Sequence, residues 1–199
     1  MGKVTTGATM SIDGYIAGPG ESGFDLLFQW YGNGDVETPT ADPGMTIRTS
    51  AASARHLADL RARLGALLVG RHLYDMTNGW GGRHPMDVTT VVLTHRLPED
   101  RPAEDENFVF VTEGIEAAVA RARELAGDLD VGVNGGQMAR QCLDAGLLDE
   151  VHVDLAPVLL GAGTPFFGGG PASGPVRLDG PLSVVEGTGV THLRYAVRR

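Results

Sequence analysis

Apolar positions in this chain follow two repeats, one typical of strands and one typical of helices, and residues 131–163 show both. An apolar run over residues 131–133 predicts a buried strand, which ends at Gly135-Gly136. An amphipathic helix follows and ends at Gly146, since glycine readily adopts the left-handed conformation found at helix ends. Residues 151–155 then alternate between apolar and polar, which predicts a further strand. The apolar positions of the helix are Met138, Ala139, Cys142 and Leu143.

The same patterns divide the rest of the chain into alternating strands and helices. One helix is expected to begin after Ser50 and to end at Gly65, with Leu57, Leu60 and Leu64 facing inward, and another covers residues 115–126. This order predicts an α/β fold with a mainly parallel central sheet, helices on both faces and an antiparallel C-terminal hairpin. No repeat or linker interrupts it, so residues 1–199 are expected to form a single domain. The other predicted strands span residues 3–10, 66–69, 88–93 and 108–111, and the terminal hairpin turns at residues 187–189.

Composition narrows the choice of partners. With a net charge of −9 at pH 7, the chain lacks the basic face that nucleic-acid phosphates require. No apolar run reaches the length of a membrane span, and the first ten residues lack the apolar core of a signal peptide. We therefore expect a cytoplasmic protein that binds neither nucleic acid nor membrane. The single cysteine, Cys142, falls on the apolar side of its helix, which favours a buried, unreactive thiol.

Three loops that follow strands carry the best candidates for ligand binding, because ligands of open α/β sheets gather at the carboxyl ends of strands. These loops are residues 70–72, 94–96 and 134–136. Arg71, His95 and Arg96 bring positive charge to two of them, which suits an anionic ligand. The Gly-Gly turn of the third leaves the N–H groups of the next helix available to a phosphate. The alternatives are solvated arginines and a tight turn without a ligand.

Two other features suggest chemistry on the substrate side. Asp13, at the end of the first strand, is the best-placed carboxylate for orienting a substrate or relaying a proton, although Asp before Gly also stabilises turns. Residues 24–48 are rich in aromatics and sustain no period. We interpret them as a mobile flap in which Trp30 stacks on a flat ring, the alternative being a surface segment that packs on its own side chains. Other catalytic classes lack their signatures, since the six histidines show no metal-ligand spacing and no HExxH, CxxC or GxSxG motif occurs.

Five segments in a fixed order carry a resemblance to a known family. They are MSIDGYIA at residues 10–17, LLVGRHLYD at 67–75, VVLTHR at 91–96, VNGGQMARQCLDAGLLDEVHV at 133–153 and APVLLGAGTPFF at 156–167. With them, the chain resembles the dihydrofolate reductase-like superfamily. The most similar branch is the riboflavin-biosynthesis reductase domain, the C-terminal half of bifunctional deaminase-reductases, together with its stand-alone relatives. The resemblance covers nearly the whole chain except residues 24–48, and it implies a dihydrofolate reductase-like fold.

The resemblance also implies NADPH as the cofactor. The first loop of the family lies against the nicotinamide, which here implies Ala8 and residues 11–17, among them Ile12. Arg71 with His95 would pair with the additional phosphate and so favour NADPH over NADH. The other implied cofactor-binding positions are Gly70, His72, Leu73, Leu93, Thr94, Arg96, Gly135, Gly136, Gln137, Met138 and Ala139.

On the substrate side the sequence departs from the family. Dihydrofolate reductases place an acidic residue in the first helix where this chain has Ala54, so dihydrofolate is not the expected substrate. In the riboflavin reductase domain an arginine of this helix holds the substrate, which implies Arg61 here. Asn134 stands where that branch often has glutamate and remains a candidate substrate-binding residue.

These observations predict an NADPH-dependent reductase that transfers hydride to a C=N or C=O bond of a small heterocyclic (pyrimidine- or pterin-like) or sugar-phosphate substrate. The resemblance suggests a reaction like that of 5-amino-6-(5-phosphoribosylamino)uracil reductase. Asp13 would orient the substrate or relay a proton, and Arg61 would hold an anion. A homodimer is expected through the strand at residues 151–160 and the terminal hairpin. The alternative is a non-catalytic nucleotide-binding or sensing protein, whereas a zinc deaminase is disfavoured because its H-x-E…PCxxC motif is missing.

Overall fold

The computed structural model describes residues 2–42, 44–99, 106–172 and 174–198. Most helices and strands lie where the apolar pattern predicts them. The strands are β1 (Val4–Ser11), β2 (Tyr15–Ala17), β3 (Val36–Thr38), β4 (Ile47–Thr49), β5 (Leu64–Gly70), β6 (Thr89–Leu93), β7 (Phe108–Val111), β8 (Asp130–Asn134), β9 (Glu150–Ala156), β10 (Thr164–Pro165), β11 (Leu178–Gly187) and β12 (Val190–Val197). The α-helices are α1 (Phe24–Leu27), α2 (Ala51–Arg63), α3 (Arg71–Met76), α4 (Ile115–Ala126) and α5 (Gln137–Asp144).

Eight of the strands form one sheet, in the order β11-β12-β9-β1-β8-β5-β6-β7. Strand β1 is parallel to both of its neighbours, β8 and β9, while β12 joins β9 and β11 in antiparallel pairs. The predicted fold class is therefore confirmed, including the antiparallel C-terminal hairpin. The short pairs β2–β10 and β3–β4 lie outside this sheet and were not predicted from the sequence.

One face of the sheet carries the main apolar core, beneath α4 and α5. The helical spacing of Ala118, Val119 and Ala122 places these side chains against the strands, where each is fully buried. Cys142 of α5 is also fully buried, and burial raises the pKa of its thiol to about 12. The interpretation of Cys142 as an unreactive core residue agrees with this position.

The opposite face carries α2, which does not pack as predicted. Ser50 caps the helix as expected, and its hydroxyl oxygen accepts a hydrogen bond from the Ser53 N–H at 3.2 Å. The buried positions of α2 are Ser53, Ala54 and His56, and the helix rests on β11 and the β3–β4 hairpin. The leucines expected to face inward, Leu57, Leu60 and Leu64, are only half-buried and line a cavity between α2 and the sheet.

The segment predicted to be a mobile flap contains regular elements that are anchored at a few buried residues, although most of its described residues are partly or fully exposed. It contains α1, a short 3₁₀ turn at Gln29–Gly32 and the β3–β4 hairpin. Leu27 and Trp30 are almost completely buried, and Ile47 is also buried. Burial of these side chains anchors the segment at those points, while its mobility stays a prediction. No helix in the described part of the chain is long and apolar enough to cross a membrane.

Candidate active site

A cavity of about 970 Å³ begins at the carboxyl ends of β5, β6 and β8 and continues along the sheet beneath α2. Its volume lies at the upper end of the usual range for small-molecule and cofactor sites. Two glycines of the central strands, Gly7 and Gly132, line its floor. The position above Gly7 is open, whereas the side chains of Leu64 and Leu67 lie close over Gly132. The cavity therefore has one end among the strand-end loops and another between α2 and the sheet.

The strand-end loops contribute most of the predicted cofactor-binding residues to this cavity. Of those positions, only Ile12 and Ala139 are outside its lining. Ile12 is an exposed residue of the first loop, whereas Ala139 is buried in α5. The predicted residues that line the cavity are Ala8, Gly70, Arg71, His72, Leu73, Leu93, Thr94, His95, Arg96, Gly135, Gly136, Gln137 and Met138.

Arg71, at the start of α3, is held in place at the cavity by two hydrogen bonds. Its Nε donates to Asp75 Oδ1 at 2.7 Å, and its Nη1 donates to the Arg96 carbonyl oxygen at 2.9 Å. The Thr94 hydroxyl donates to the same carbonyl at 2.7 Å and so fixes the loop after β6. These bonds bring the side chain of Arg71 to the loop that carries Arg96, and the two cations line the same end of the cavity.

The Gly-Gly turn forms the other side of this end. Gly136 has φ 76° and ψ −136°, a conformation that side chains disfavour, and its N–H donates to the Phe166 carbonyl at 2.7 Å. The α5 helix starts directly after it, so the first N–H groups of the helix lie at the cavity without intrahelical partners. Asn134 lines the cavity as well, but its side chain accepts from the Gly70 N–H and donates to the Gly135 carbonyl, which joins β8 to β5.

The structure gives Asp13 a different role from the one expected. Its carboxylate accepts hydrogen bonds from the Ser11 hydroxyl at 2.6 Å and from the N–H groups of Leu160 at 3.1 Å and Gly161 at 2.6 Å. The Ser11 bond, together with these backbone bonds, lowers the pKa of Asp13. Asp13 is not part of the cavity lining, so it joins two loops instead of reaching a substrate.

Trp30 and Arg61 are also corrected. Trp30 is 1% exposed, and its indole N–H donates to the Thr9 hydroxyl at 3.3 Å, so no face of the ring is free to stack on a ligand. Arg61 extends away from the cavity and donates to the Pro39 carbonyl at 2.5 Å. Its helix neighbour Arg63 lines the cavity instead, because two residues correspond to about 200° of rotation around a helix.

The sequence reasoning missed the polar residues of β9 that line the cavity, His152 and Asp154. They alternate with the core residues Val151 and Val153, so the pattern V-H-V-D already placed both on one face of the sheet. Only the apolar residues of this pattern, Val151 and Val153, were used to predict the strand. Tyr31, which also lines the cavity, belongs to the aromatic segment whose tryptophan was chosen instead.

A buried chain of hydrogen bonds leads from α2 to Asp154. The Ser53 hydroxyl lies 2.8 Å from Nε2 of His192, and Nδ1 of His192 lies 2.6 Å from Asp154 Oδ1. The residue types are those of a serine-hydrolase triad, but Ser53 is 1% exposed and cannot reach a substrate. Asp154 is the member of the chain that meets the cavity.

His56, Asp154 and His192 also place three groups of metal-ligand type within 4.8 Å of one another. The rings of His56 and His192 are stacked, with centroids 4.2 Å apart and planes inclined by 20°. An ion in the plane of one ring would therefore lie far out of the plane of the other, whereas a histidine nitrogen binds metal along its in-plane lone pair. Both ring nitrogens of His192 already have partners, so we interpret this group as a hydrogen-bond network.

Comparison with known proteins identifies a family for this architecture. The family model described as the RibD C-terminal domain matches residues 2–190 of the chain. A search of curated proteins gave no match.

Solved structures show the same fold at low sequence identity. A Shewanella protein described as a riboflavin biosynthesis protein is 20% identical, with a TM-score of 0.70 and 99% of each chain covered. A Thermotoga maritima diaminohydroxyphosphoribosylaminopyrimidine deaminase/5-amino-6-(5-phosphoribosylamino)uracil reductase is 16% identical, with a TM-score of 0.61 over 99% of this chain. The match covers 57% of that enzyme's chain. A dihydrofolate reductase from Enterococcus faecalis, complexed with NADP(H), is 16% identical, with a TM-score of 0.56 and coverage of 99% of this chain and 97% of that one.

Proposed function

The chain belongs to the RibD C-terminal domain family, and we propose that it is an NADPH-dependent reductase of a small heterocyclic or sugar-phosphate substrate. One observation carries the proposal. Arg71, Arg96 and the start of α5 meet at the carboxyl edge of the sheet, at one end of a cavity large enough for a dinucleotide and a small substrate. This edge is where open α/β sheets bind nucleotides, and the groups assembled there complement phosphates.

The residues at this end fit NADPH through their charge and their backbone. The N–H groups at the start of α5 complement the pyrophosphate, and Arg71 with Arg96 and His95 complements the phosphate that distinguishes NADPH from NADH. The bound cofactor would supply the hydride. The chain's own residues bind and orient the reactants, and the cavity walls exclude water from them.

The other end of the cavity has the character of a site for a flat ring. Leu57, Leu60 and Phe28 provide apolar surface, and Arg63 supplies a cation. Arg63 thereby takes the anion-binding role that the sequence assigned to Arg61, although its Nε also lies 4.0 Å from Asp130 Oδ2. We propose a substrate that combines a heterocycle with an anionic group, which includes the 5-amino-6-(5-phosphoribosylamino)uracil type.

A second candidate function is a nucleotide-binding or sensing protein without turnover. The observation in its favour is the position of Asp13, whose carboxylate is bound within the loops, together with Ala54 where dihydrofolate reductases have an acid. Binding of NADPH without its oxidation in the presence of pyrimidine, pterin and sugar-phosphate candidates would favour this alternative.

The test of the cofactor proposal compares NADPH and NADH binding by calorimetry. We expect the wild-type protein to prefer NADPH, and Arg71→Ala to remove most of that preference, about 1.5–3 kcal/mol for a hydrogen bond to a charged group. Arg121→Ala is the matched control, since Arg121 lies on α4, pairs with Glu124 and is remote from the cavity. Equal affinity of the wild type for the two cofactors would contradict the proposal.

A further inference from the structure

Asp154 lies on the floor of the cavity, in the part covered by α2. Its side chain is 20% exposed, and the strand position facing it is Thr9 of β1. Two positions before Thr9, Gly7 has no side chain and is exposed, so the floor beside the carboxylate is open. A ligand that occupies this end of the cavity therefore meets Asp154 directly.

The position of the Asp154 carboxylate is fixed from the buried side. His192 Nδ1 lies 2.6 Å from its Oδ1, and His192 is held in turn by Ser53 at 2.8 Å and packs edge-on against Trp30. The second oxygen, Oδ2, has no hydrogen-bond partner among the described residues. Such a fixed carboxylate with one free oxygen is preorganised to accept a hydrogen bond from a ligand.

Among the described residues, no lysine or arginine lies within ion-pair distance of Asp154, although Arg63 lines the same cavity. Within the described ranges, its neighbours at ion-pair distance are the imidazoles of His56 and His192. Lys3 and Arg194 do not pair with Asp154, because both form ion pairs with Glu150. Burial alone would raise the pKa of Glu150, but hydrogen bonds from Lys3, Arg194 and His152 lower it to about 2.

His56 and Tyr31, which lie near Asp154, are uncharged at pH 7 and do not balance the charge of its carboxylate. Burial lowers the pKa of His56 to about 4, and the charges of nearby groups modify it less, so this imidazole is neutral at pH 7. The His56 Nε2 atom is buried without a hydrogen-bond partner, 3.8 Å from Asp154 Oδ1. Burial, with the charge of Asp154, raises the pKa of the Tyr31 phenol, so Tyr31 remains a neutral hydroxyl. The carboxylate thus faces the cavity with its negative charge incompletely balanced.

We propose that Asp154 is a substrate-anchoring residue that selects ligands with a cationic or N–H-donating group, such as an amidine or amino group on a flat ring. This inference rests on the proposed function, in which the opposite end of the cavity binds the phosphates of the cofactor. The carboxylate comes from strand β9 of the sheet, and α2 contributes the apolar wall above it. His192 is a positioning residue for Asp154, and Ser53 is a positioning residue for His192.

Benzamidine and benzamide are suitable probes, because they are nearly identical in shape but only benzamidine is a cation. Their affinities are measured by calorimetry with and without saturating NADPH. We expect wild-type protein to bind benzamidine at least about tenfold more tightly than benzamide, since ionic hydrogen bonds are stronger than neutral ones. Asp154→Asn keeps the size of the side chain and should bring the ratio of the two affinities close to one.

Two variants separate the charge of Asp154 from its surroundings. Asp59→Asn removes an exposed acid of α2 outside the cavity lining and should leave the ratio unchanged. Ser53→Ala breaks the chain behind Asp154 and should lower the ratio severalfold, whereas a merely structural defect would weaken both probes equally. If Asp154→Asn does not fold, Asp154→Glu retains the charge one carbon further out, and its ratio should fall between one and the wild-type value.

The outcomes distinguish this inference from the proposed function. A wild-type protein that binds NADPH but shows equal affinity for the two probes, or no binding of either at millimolar concentration, overturns the role of Asp154. A ratio that persists in Asp154→Asn does the same. Discrimination between the probes without any NADPH binding would retain Asp154 as an anchoring residue and contradict the reductase assignment instead.

Discussion

Three histidines of this chain lie where burial penalises their charged form. Burial lowers the pKa of His56 and of His84 to about 4, and it also lowers the pKa of His152 despite the hydrogen bond of that ring to Glu150. The environments differ, since His56 stacks on His192 and His84 packs edge-on against Trp80. All three groups bind a proton less readily in the folded protein than in the unfolded chain.

The pH dependence of stability should reflect these depressed values. Below the ordinary pKa of 6.5 the unfolded chain takes up protons that the folded protein excludes down to about pH 4, so the free energy of unfolding decreases as the pH falls through this range. Each of His56 and His84 contributes at most on the order of 3 kcal/mol. Urea denaturation between pH 7.5 and 4.5 measures the change.

The variant His84→Asn provides the control for this prediction. His84 Nδ1 accepts the Met86 N–H at 3.1 Å, and an asparagine oxygen can retain that bond without titrating. The slope of unfolding free energy against pH should therefore become smaller. The hydrogen bonds that lower the pKa of Glu150 to about 2 contribute below pH 4.5, outside the main window. An unchanged slope in His84→Asn would show that its burial does not control the acid sensitivity.

At the scale of single elements, the turn before α5 has a structural role and a proposed role in binding the cofactor. Gly136 has a φ of 76°, so a side chain is strained there, although a Cβ atom would meet nothing closer than 3.7 Å. Gly146, after the same helix, has a φ of 67° with nothing near its Cβ position, but it lies outside the cavity lining. The two glycines therefore form a matched pair.

We predict that Gly136→Ala and Gly146→Ala both lower stability, by about 1–3 kcal/mol each for a residue held in an unfavourable backbone conformation. Only Gly136→Ala should also weaken NADPH binding, because it alters the backbone that faces the cavity. Thermal denaturation and calorimetry with NADPH provide the two measurements. Equal NADPH affinity of both variants would mean that the turn does not contact the cofactor.

Elements with a regular apolar repeat were predictable from the sequence, and the exceptions have physical causes. The α5 helix and its flanking strands follow their repeats because each faces a continuous apolar core. The leucines of α2 follow a helical repeat too, but Leu57 and Leu60 face a cavity, and a repeat does not distinguish a core from a binding site. The polar side of α2 is buried because His56 and Ser53 join the network around His192.

The candidate site also has one part that the sequence predicts and one part that it does not. Its proposed cofactor end consists of short loops at strand ends, so local sequence alone could place Arg71 and Gly136 at the cavity. Its substrate end brings together α2, β9 and β12, which are far apart in the chain. The carboxylate of Asp154 is held by His192, which lies 38 residues later in the chain, and no local sequence pattern indicates that contact.

At the scale of the whole molecule, the two faces of the sheet are covered unequally. Helices α4 and α5 lie over β5, β6 and β8, while the β9–β12–β11 end of that face has no packed helix in the described chain. Val184 of β11 is 53% exposed and pairs with Leu193, which pairs in turn with the core residue Val153. The apolar layer therefore continues from the core out to an exposed edge strand.

We predict that a second copy of the chain covers this surface and forms a homodimer, because a long apolar edge strand left exposed invites association. Sedimentation velocity over a range of concentrations should show a dimer for the wild type. Substitution of Leu182, 51% exposed, and Val184 by lysine should shift the equilibrium toward monomer, since burial of such a side chain contributes about 1.5–3 kcal/mol. Leu129→Lys is the control, because Leu129 is 46% exposed and lies just before β8, outside this surface.

The cavity opens on the other face and at the strand ends, so NADPH affinity should be the same in the monomeric variant. A wild-type protein that remains monomeric at high concentration would contradict the prediction, and a loss of NADPH binding on dissociation would mean that the dimer contact extends to the site.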